Sequence, residues 1–258
     1  MSFELICEIE PPTRPDLKRV RHQIGTLSTV AHSFLIPDNH LGRATVSSVA
    51  VAHEVEAMGG RSIACLNSRD RNLLGFRRDL LTAAAYGVDQ FLFVYGDKPT
   101  SGNRTSDLTV RSMIAEAKPD FRVGAAAGYR PLPSWKREAD FLFLQVGFDV
   151  AAQVRWREDN PVDVPVYAGV MVLASETQGR RLAASIPDID IPEELIRRVA
   201  GDRLAGVEAA CEQVHALRES GAFDGVHLIP VARYREVEAS LAKAASTAPA
   251  SATQKSMP

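Results

Sequence analysis

The chain has 258 residues, 45% of them hydrophobic and 24% charged, with a formal net charge of -2. This length and apolar content suffice for one barrel-type domain or for two smaller domains. The near-neutral charge offers no basic surface to nucleic acid, and no apolar run reaches the ~20 residues needed to cross a bilayer. The N-terminus lacks a basic segment followed by an apolar one, so we expect no secretory signal and a cytoplasmic location.

The three cysteines are Cys7, Cys65 and Cys211, which lie far apart and show no CxxC spacing. An odd number without paired spacing predicts neither a disulfide framework nor a zinc site. Cys7 and Cys65 lie in apolar runs, and we interpret them as small buried hydrophobes rather than nucleophiles. We therefore expect a reduced protein without a bound metal.

Eight short apolar runs, each of the length of a buried strand, alternate with stretches of helical periodicity. The predicted strands are Leu5–Ile9, Val30–Ile36, Arg61–Leu66, Gln90–Val94, Arg122–Ala127, Phe141–Val146, Val164–Val170 and Gly225–Ile229. The predicted helices are Arg14–Gly25, Arg43–Met58, Asn72–Tyr86, Asp107–Ala117, Val150–Arg157, Gln178–Ala184 with Pro192–Ala200, Asp202–Ser220 and Tyr234–Ala244. This alternation is typical of a (β/α)8 barrel, whose parallel strands read as continuous apolar runs because both of their faces are buried.

A doubly wound α/β sheet is the alternative architecture. It would require a glycine-rich phosphate-binding turn after the first strand, and the chain reads Glu10-Pro11-Pro12 there, which offers few backbone N–H donors. We therefore predict a single-domain (β/α)8 TIM barrel over residues 1–244. Residues 245–258 are rich in Ala, Ser and Thr without periodicity, and we predict that they form a disordered tail.

In such a barrel, the side chains that follow the carboxyl ends of the strands form the active site. Glu8 lies inside the first apolar run, where it either faces outward or is a desolvated acid prepared for proton transfer. Asp97 follows Gly96 after the fourth strand, and it either caps a turn or stands at the barrel mouth. Gln145 ends the sixth strand, where its amide requires a partner, either the barrel backbone or a heterocyclic ligand.

Two histidines, His32 and His227, fall within predicted strands. No His, Asp or Glu spacing typical of a metal site accompanies them. We interpret both as core histidines whose polar atoms are satisfied by the protein, and we predict no metal site.

The order of several short motifs resembles the methylenetetrahydrofolate reductase family. The opening Cys7-Glu8-Ile9-Glu10-Pro11-Pro12 is similar to that family's (F/V)E(F/I)xPP strand. Further similar segments are Ser68–Asn72 with Leu80–Val88 and Tyr95–Asp97, Ala139–Phe141 with Gln145 and Phe148-Asp149, Pro165–Met171, and Gly225–His227 ahead of Arg233. None of these motifs is specific alone, but together they cover most of the chain in the family's order.

The resemblance implies a (β/α)8 barrel, in agreement with the strand count. It also implies reduction of the methylene bridge of 5,10-methylenetetrahydrofolate to a methyl group, normally through bound FAD that passes on a hydride from NADH or NADPH. By motif position, Glu8 matches the family's general acid, and Asp97 and Gln145 match residues that contact the pterin. Arg233 falls where an arginine faces the tail of the folate.

The chain departs from the family in the loops that hold much of the flavin. Residues Ile36–His40 stand in place of TYGAGG, Cys65–Ser68 in place of HLTC, and Tyr129–Pro133 in place of YPExHP. We assign cofactor binding to Asn39, Asn67, Tyr129 and Lys136, and we expect NADH, or NADPH, to pass its hydride directly to the folate without FAD. The alternatives are a non-catalytic folate-binding module and a barrel methyltransferase that acts on a pterin.

Overall fold

The computed structural model describes residues 3–98, 100, 106–185 and 189–247. The strands are β1 (Glu4–Glu8), β2 (Ser33–Ile36), β3 (Arg61–Asn67), β4 (Gln90–Val94), β5 (Arg122–Ala127), β6 (Phe141–Val146), β7 (Val166–Met171) and β8 (Gly225–Ile229). The helices are α1 (Lys18–Leu27), α2 (Ser48–Ala57), α3 (Leu73–Ala85), α4 (Val110–Ala117), α5 (Val150–Asp159), α6 (Glu176–Ser185), α7 (Glu193–Gly201), α8 (Ala205–Ser220) and α9 (Tyr234–Thr247). All strands are parallel and pair in sequence order, and β8 closes the barrel against β1, which confirms the predicted fold.

The start of β2 differs from the prediction. The backbone N–H groups of Val30 and Ala31 both donate to the carbonyl of Leu27, so this segment continues the last turn of α1 and the strand begins only at Ser33. His32 therefore precedes the strand and is exposed, so its interpretation as a core histidine is wrong.

Several further boundaries differ from the prediction, and α1, for example, begins at Lys18 rather than Arg14. Helix α2 begins at Ser48 rather than Arg43, because the backbone is not helical at Arg43 and Ser47, where ψ is 141° and 133°. Helix α9 continues to Thr247, three residues into the predicted tail. The rest of that tail, residues 248–258, lies outside the described residues. Among the helices that are described, none has the length and apolar character needed to span a membrane.

The strands separate two apolar layers. Outside the barrel, side chains such as Phe34, Phe76 and Phe93 pack between strands and helices. Inside, a smaller cluster fills the barrel and contains Ile6, Leu35, Ile63, Cys65, Leu92, Phe141, Phe143 and Tyr167. Successive residues of a strand face opposite sides, so Glu4 and Glu8 share the inward face of Ile6. Glu4 lies toward the amino end of the barrel and Glu8 toward its carboxyl end.

A hydrogen-bonded group closes the amino end of the barrel. Glu4 Oε1 accepts hydrogen bonds from Ser33 Oγ at 2.5 Å and from Arg61 Nη2 at 3.0 Å, and Oε2 accepts from the Tyr167 hydroxyl at 2.9 Å. Burial, together with the nearby Glu4 carboxylate, raises the pKa of Tyr167 to about 12. Because the amino end of such barrels contributes to stability rather than catalysis, we assign Glu4 a structural role.

The cysteines provide a test of the core. All three are free and buried, as expected for Cys7 and Cys65 from their apolar runs. Burial, with a smaller contribution from Cys211, raises the pKa of Cys7 to about 12, and burial also raises the pKa of Cys65. Only the thiolate reacts, so we expect iodoacetamide at pH 8 to spare Cys7 and Cys65 in the folded protein and to modify them in urea. Mass spectrometry checks this, and rapid labelling of the folded protein would contradict it.

Candidate functional site

The end of β1 places Glu8 at the carboxyl mouth of the barrel, above Ile6. The Glu8 side chain is 12% exposed, so the alternative of an outward-facing strand acid is excluded. Pairing of β1 with β8 sets Ile6 opposite His227, and the His227 Nε2 lies 3.4 Å from Glu8 Oε2. The His227 ring also packs edge-on against Phe143, with the ring centroids 5.4 Å apart. The mouth therefore holds a nearly buried carboxyl group beside a nearly buried imidazole.

His227 was interpreted as a core histidine with satisfied polar atoms, and only half of that interpretation is confirmed. The residue is 7% exposed, but its Nε2 forms no hydrogen bond with any described residue. The 3.4 Å distance between His227 Nε2 and Glu8 Oε2 is longer than an ordinary N–H···O bond. The sequence placed His227 in the last strand, but only closure of the barrel shows that it neighbours Glu8.

Gln145 lies at an irregularity near the end of β6. The pairing of β6 with β7 shifts register between Leu144 and Val146, and the intervening Gln145 is exposed. Phe141 and Phe143 lie in the inner cluster, so alternation directs Gln145 toward the barrel mouth. Strand bulges of this kind redirect side chains next to active sites.

Two buried glutamines form hydrogen bonds to the backbone next to this irregularity. Gln153 Nε2 donates to the carbonyl of Gly169 at 2.9 Å, and Gln213 Nε2 donates to the carbonyl of Gly147 at 2.8 Å. Gln213 Nε2 also donates to Gln153 Oε1 at 2.8 Å. These amides satisfy backbone carbonyls at the shifted end of the sheet, and the sequence analysis did not identify them.

Asp97 is exposed on the loop after β4, and its Oδ2 accepts a hydrogen bond from the Leu41 N–H at 2.9 Å. It therefore joins the loop after β4 to the loop after β2. Of the two expected roles, a turn cap or a position at the barrel mouth, the structure shows a turn cap. The capped turn lies in the loop after β2. Contact between Asp97 and a pterin stays a prediction.

Gly96 determines where Asp97 stands. Its φ is +93°, and an added Cβ would lie 2.8 Å from the Cβ of Asn67. We expect Gly96→Ala to lower the free energy of unfolding by about 1–3 kcal/mol, because the change adds left-handed strain and a steric clash. Urea unfolding measures this. Gly128→Ala is the matched control: an added Cβ there meets nothing within 4 Å, so a change above about 1 kcal/mol at Gly128, or none at Gly96, would contradict the assignment.

Arg233 is the last residue of the short loop between β8, the strand next to β1, and α9. Its guanidinium pairs with Glu236 at 3.2 Å and its side chain is 21% exposed. The preceding residues Val231 and Ala232 have φ of 45° and 61°, which is strained for residues with a Cβ. Strain of this kind is concentrated at functional sites, which agrees with the placement of Arg233 beside the mouth.

Asn67 ends β3 and is fully buried. Its Nδ2 donates to Asp38 at 2.7 Å and to Asp70 at 3.1 Å, and its Oδ1 accepts from the N–H groups of Arg69 and Asp70. The amide has thereby used its full capacity for hydrogen bonds within the protein. Asn67 holds the loops of the mouth in place, and its predicted contact with a cofactor stays a prediction.

Asn39 lies in the same network. Its Nδ2 donates to Asp70 Oδ2 at 3.2 Å, and its Oδ1 accepts from the Thr45 N–H at 3.3 Å. Its φ of 47° marks the turn that leads into Leu41. The side chain is half-buried and fixes the loop after β2, and its contact with a cofactor stays a prediction.

Tyr129 and Lys136 both follow β5 but face different surroundings. The Tyr129 ring joins the outer apolar layer, and its hydroxyl occupies the space where a Cβ on Gly147 would be. Burial raises the pKa of this hydroxyl. Lys136 Nζ donates to the Ala126 carbonyl, and burial lowers the pKa of this amine. Lys136 also lines a cavity of about 420 Å3, whereas Tyr129 is turned away from the mouth.

The structure therefore places Glu8 inward at the barrel mouth, with Gln145 exposed at the shifted end of β6 and Asp97 and Arg233 on loops that follow β4 and β8. It adds His227 to this group. Among the described residues, no three His, Cys, Asp or Glu side chains are arranged to hold a metal ion.

Neither a family model nor a curated protein matches this sequence. Solved structures do match the fold. An uncharacterized protein from Clostridium thermocellum that binds two copies of 5-methyl-5,6,7,8-tetrahydrofolic acid has a TM-score of 0.66 at 15% identity, with 95% of each chain covered. The long-chain alkane monooxygenase LadA has a TM-score of 0.57 at 10% identity, covering 95% of this chain and 92% of its own. Dihydropteroate synthase from Stenotrophomonas maltophilia has a TM-score of 0.50 at 13% identity, covering 96% and 95%. At these identities the likeness shows a shared barrel fold.

Proposed function

We propose that this chain is an oxidoreductase that reduces 5,10-methylenetetrahydrofolate to 5-methyltetrahydrofolate with a hydride taken directly from NADH, or from NADPH. The observation that carries the proposal is the nearly buried Glu8 at the barrel mouth, with Gln145 at the carboxyl end of β6. The motif resemblance assigns these two positions to the general acid and to pterin contact. A structurally similar protein binds a methylated tetrahydrofolate, which agrees with a folate ligand.

The reaction needs one proton and one hydride. Glu8 is placed to give its proton to a nitrogen of the five-membered ring, which breaks a C–N bond and leaves an iminium ion on the other nitrogen. The hydride of the dihydronicotinamide then adds to the iminium carbon and completes the methyl group. The low exposure of Glu8 limits access of water, which would otherwise hydrolyse the iminium ion. Gln145 can both donate and accept, as the edge of a pterin requires.

The cavity beside Lys136 is the proposed site for the reductant. Its walls include Phe93, Tyr95 and Trp135 near the ends of β4 and β5, and largely apolar walls suit a heterocyclic ring. The amine of Lys136 lines this cavity and can offer an N–H donor to the phosphates of a dinucleotide.

A flavin fits the described residues poorly. The amide of Asn67 is saturated by the protein, and Tyr129 packs in the outer layer, so two residues from loops that would hold a flavin do not offer it polar groups. The same two side chains are equally closed to NADH, so the altered loop sequences are what support hydride transfer without an intermediate carrier.

The test is anaerobic reaction of the purified protein with methylenetetrahydrofolate and NADH carrying deuterium at C4, in separate 4R and 4S forms. Direct transfer predicts that one of the two forms yields methyl product carrying one deuterium, by mass spectrometry. A flavin carrier would lose the deuterium to solvent, and flavin would appear in the visible spectrum of the denatured protein. Absence of NADH oxidation would overturn the reductase proposal.

One other function has a specific observation in its favour. The similar protein from Clostridium thermocellum binds 5-methyltetrahydrofolic acid, the product of the proposed reaction. A folate-binding module would share this property. Calorimetric binding of 5-methyltetrahydrofolate without any NADH oxidation would favour the module, whereas binding with turnover favours the reductase.

A further inference from the structure

We propose that His227 is a positioning residue for Glu8, and that the two side chains share one proton between Nε2 and Oε2. The imidazole thereby holds the carboxyl group in place at the barrel mouth. The kinetic consequence of this pairing rests on the proposed function, but the pairing itself does not.

The geometry points to this pairing. The side chains of His227 and Glu8 are 9% and 12% exposed, and their facing atoms lie 3.4 Å apart. An unpaired buried polar atom such as Nε2 is unfavourable, because it has lost its hydrogen bonds to water, so a partner is favoured. A shift of about 0.5 Å by either side chain brings the contact to the ~2.9 Å of an ordinary hydrogen bond.

The surroundings restrict the pair to a single shared proton. Ile6 and Phe143 lie in the apolar cluster on the barrel side of the pair, where isolated charges are unfavourable. The carboxylic acid can donate to a neutral imidazole, or the imidazolium can donate to a carboxylate, and each arrangement contains one proton. Two protons would leave both atoms as donors, and none would leave both as acceptors.

Other titratable groups near the pair are engaged elsewhere. On β3, burial raises the pKa of Cys65, with Asp38 and Glu8 adding to the effect. On β7, the Tyr167 hydroxyl bonds to Glu4 at the opposite end of the barrel. Asp38 pairs with Arg71 at 2.8 Å, and Arg233 on the loop after β8 pairs with Glu236. The proton between Glu8 and His227 therefore belongs to these two side chains.

The role of His227 follows from the proton balance. When Glu8 gives the shared proton to the folate nitrogen, neither Nε2 nor Oε2 retains a proton. A proton from solvent then returns to Nε2, which can donate it to the carboxylate, and the pair is restored for the next turnover. Without His227, the new carboxylate would be nearly buried and unpaired, and both proton delivery and recovery would slow.

The first test is nitrogen-15 NMR of the imidazole in the ligand-free protein. We expect Glu8→Gln to move the Nε2 resonance of His227 toward that of a free neutral imidazole. Glu10→Gln is the matched control, because Glu10 is exposed and two residues away, and it should leave the resonance in place. Identical His227 spectra in the wild type and Glu8→Gln would overturn the pairing.

The second test is kinetic. We expect His227→Leu to lower kcat about 10–100-fold with a change in KM below about 3-fold, the scale seen when a group that orients a functional side chain is removed. His227→Gln keeps a hydrogen-bonding atom near Nε2 and should restore part of the loss. Both variants should change the shape of the kcat–pH profile, because Glu8 loses its proton partner.

Tyr167→Phe controls for general damage to the barrel interior, since Tyr167 lies in the inner cluster and bonds to Glu4. It should lower the melting temperature and leave the kcat–pH profile unchanged. If the His227 variants behave like Tyr167→Phe, the positioning role is wrong. If the wild type oxidises no NADH, the proposed function fails, and the NMR result still decides whether the pair exists.

Discussion

Glu8→Gln is expected to lower kcat for folate reduction by about 10²–10⁴-fold, the range that a positioned general acid contributes. The amide keeps the shape of the carboxyl group but has no acidic proton to open the five-membered ring. The substituted side chain remains nearly buried, so the mouth keeps its form and the dissociation constant for folate should change by less than about 3-fold. Stopped-flow absorbance measures the rate, and calorimetry measures folate binding.

Glu10→Gln provides the control for this experiment. Glu10 is two residues from Glu8, so strand alternation alone would direct both side chains to the same side. Glu10 is nevertheless exposed, and its Oε2 is 3.8 Å from Arg19. Its replacement should leave kcat within about 2-fold, since exposed pairs contribute little. Full activity in Glu8→Gln, or an equal loss in both variants, would show that Glu8 is not the acid.

Arg71→Met is expected to lower the free energy of unfolding by about 3–5 kcal/mol at neutral pH. The Arg71 side chain is 13% exposed, and its Nη1 and Nε lie 2.8 Å from Asp38 and 3.2 Å from Asp79. Burial alone would lower the pKa of Arg71, but the two carboxylates outweigh it and raise the pKa above its usual value. Removal of the guanidinium leaves Asp38, only 6% exposed, without its cation. Denaturant unfolding measures the loss.

The matched control is Arg77→Met on the exposed face of α3. Arg77 pairs with Glu116 at 2.6 Å, a shorter contact, but its side chain is 55% exposed. Exposed pairs contribute about 0–1 kcal/mol, so the two substitutions should differ by several-fold. Equal losses of unfolding free energy in the two variants would mean that burial of the Asp38–Arg71 pair does not increase its contribution to stability.

The order of strands and helices could be predicted from the sequence, because each strand of a closed parallel barrel is buried on both faces and so forms a continuous apolar run. The continuous apolar runs around Ile6, Phe93 and Phe143 carry this signal, and the structure confirms them as strands. The starts of β2 and α2 were not readable. They depend on the hydrogen bond of Val30 to Leu27 and on the non-helical backbone of Arg43 and Ser47, which apolar periodicity does not encode.

The candidate site was only partly predictable for a related reason. Position at a strand end and the motif match indicated Glu8 and Gln145, because both depend on local sequence. The saturated amide of Asn67, the outward turn of Tyr129 and the unsatisfied Nε2 of His227 depend on neighbours distant in sequence. The contacts of these three side chains form only when distant loops and strands come together in the folded protein.

The sequence by itself determined a (β/α)8 barrel and an acid at the end of its first strand, because local periodicity specifies which side chains are buried and where each strand ends. Only the tertiary structure decided that Glu4 closes the amino end, that Asp97 joins two loops, and that His227 stands beside Glu8. The physical reason is barrel closure: pairing β8 with β1 brings the first and last strands into contact, and no local pattern specifies which side chains then meet.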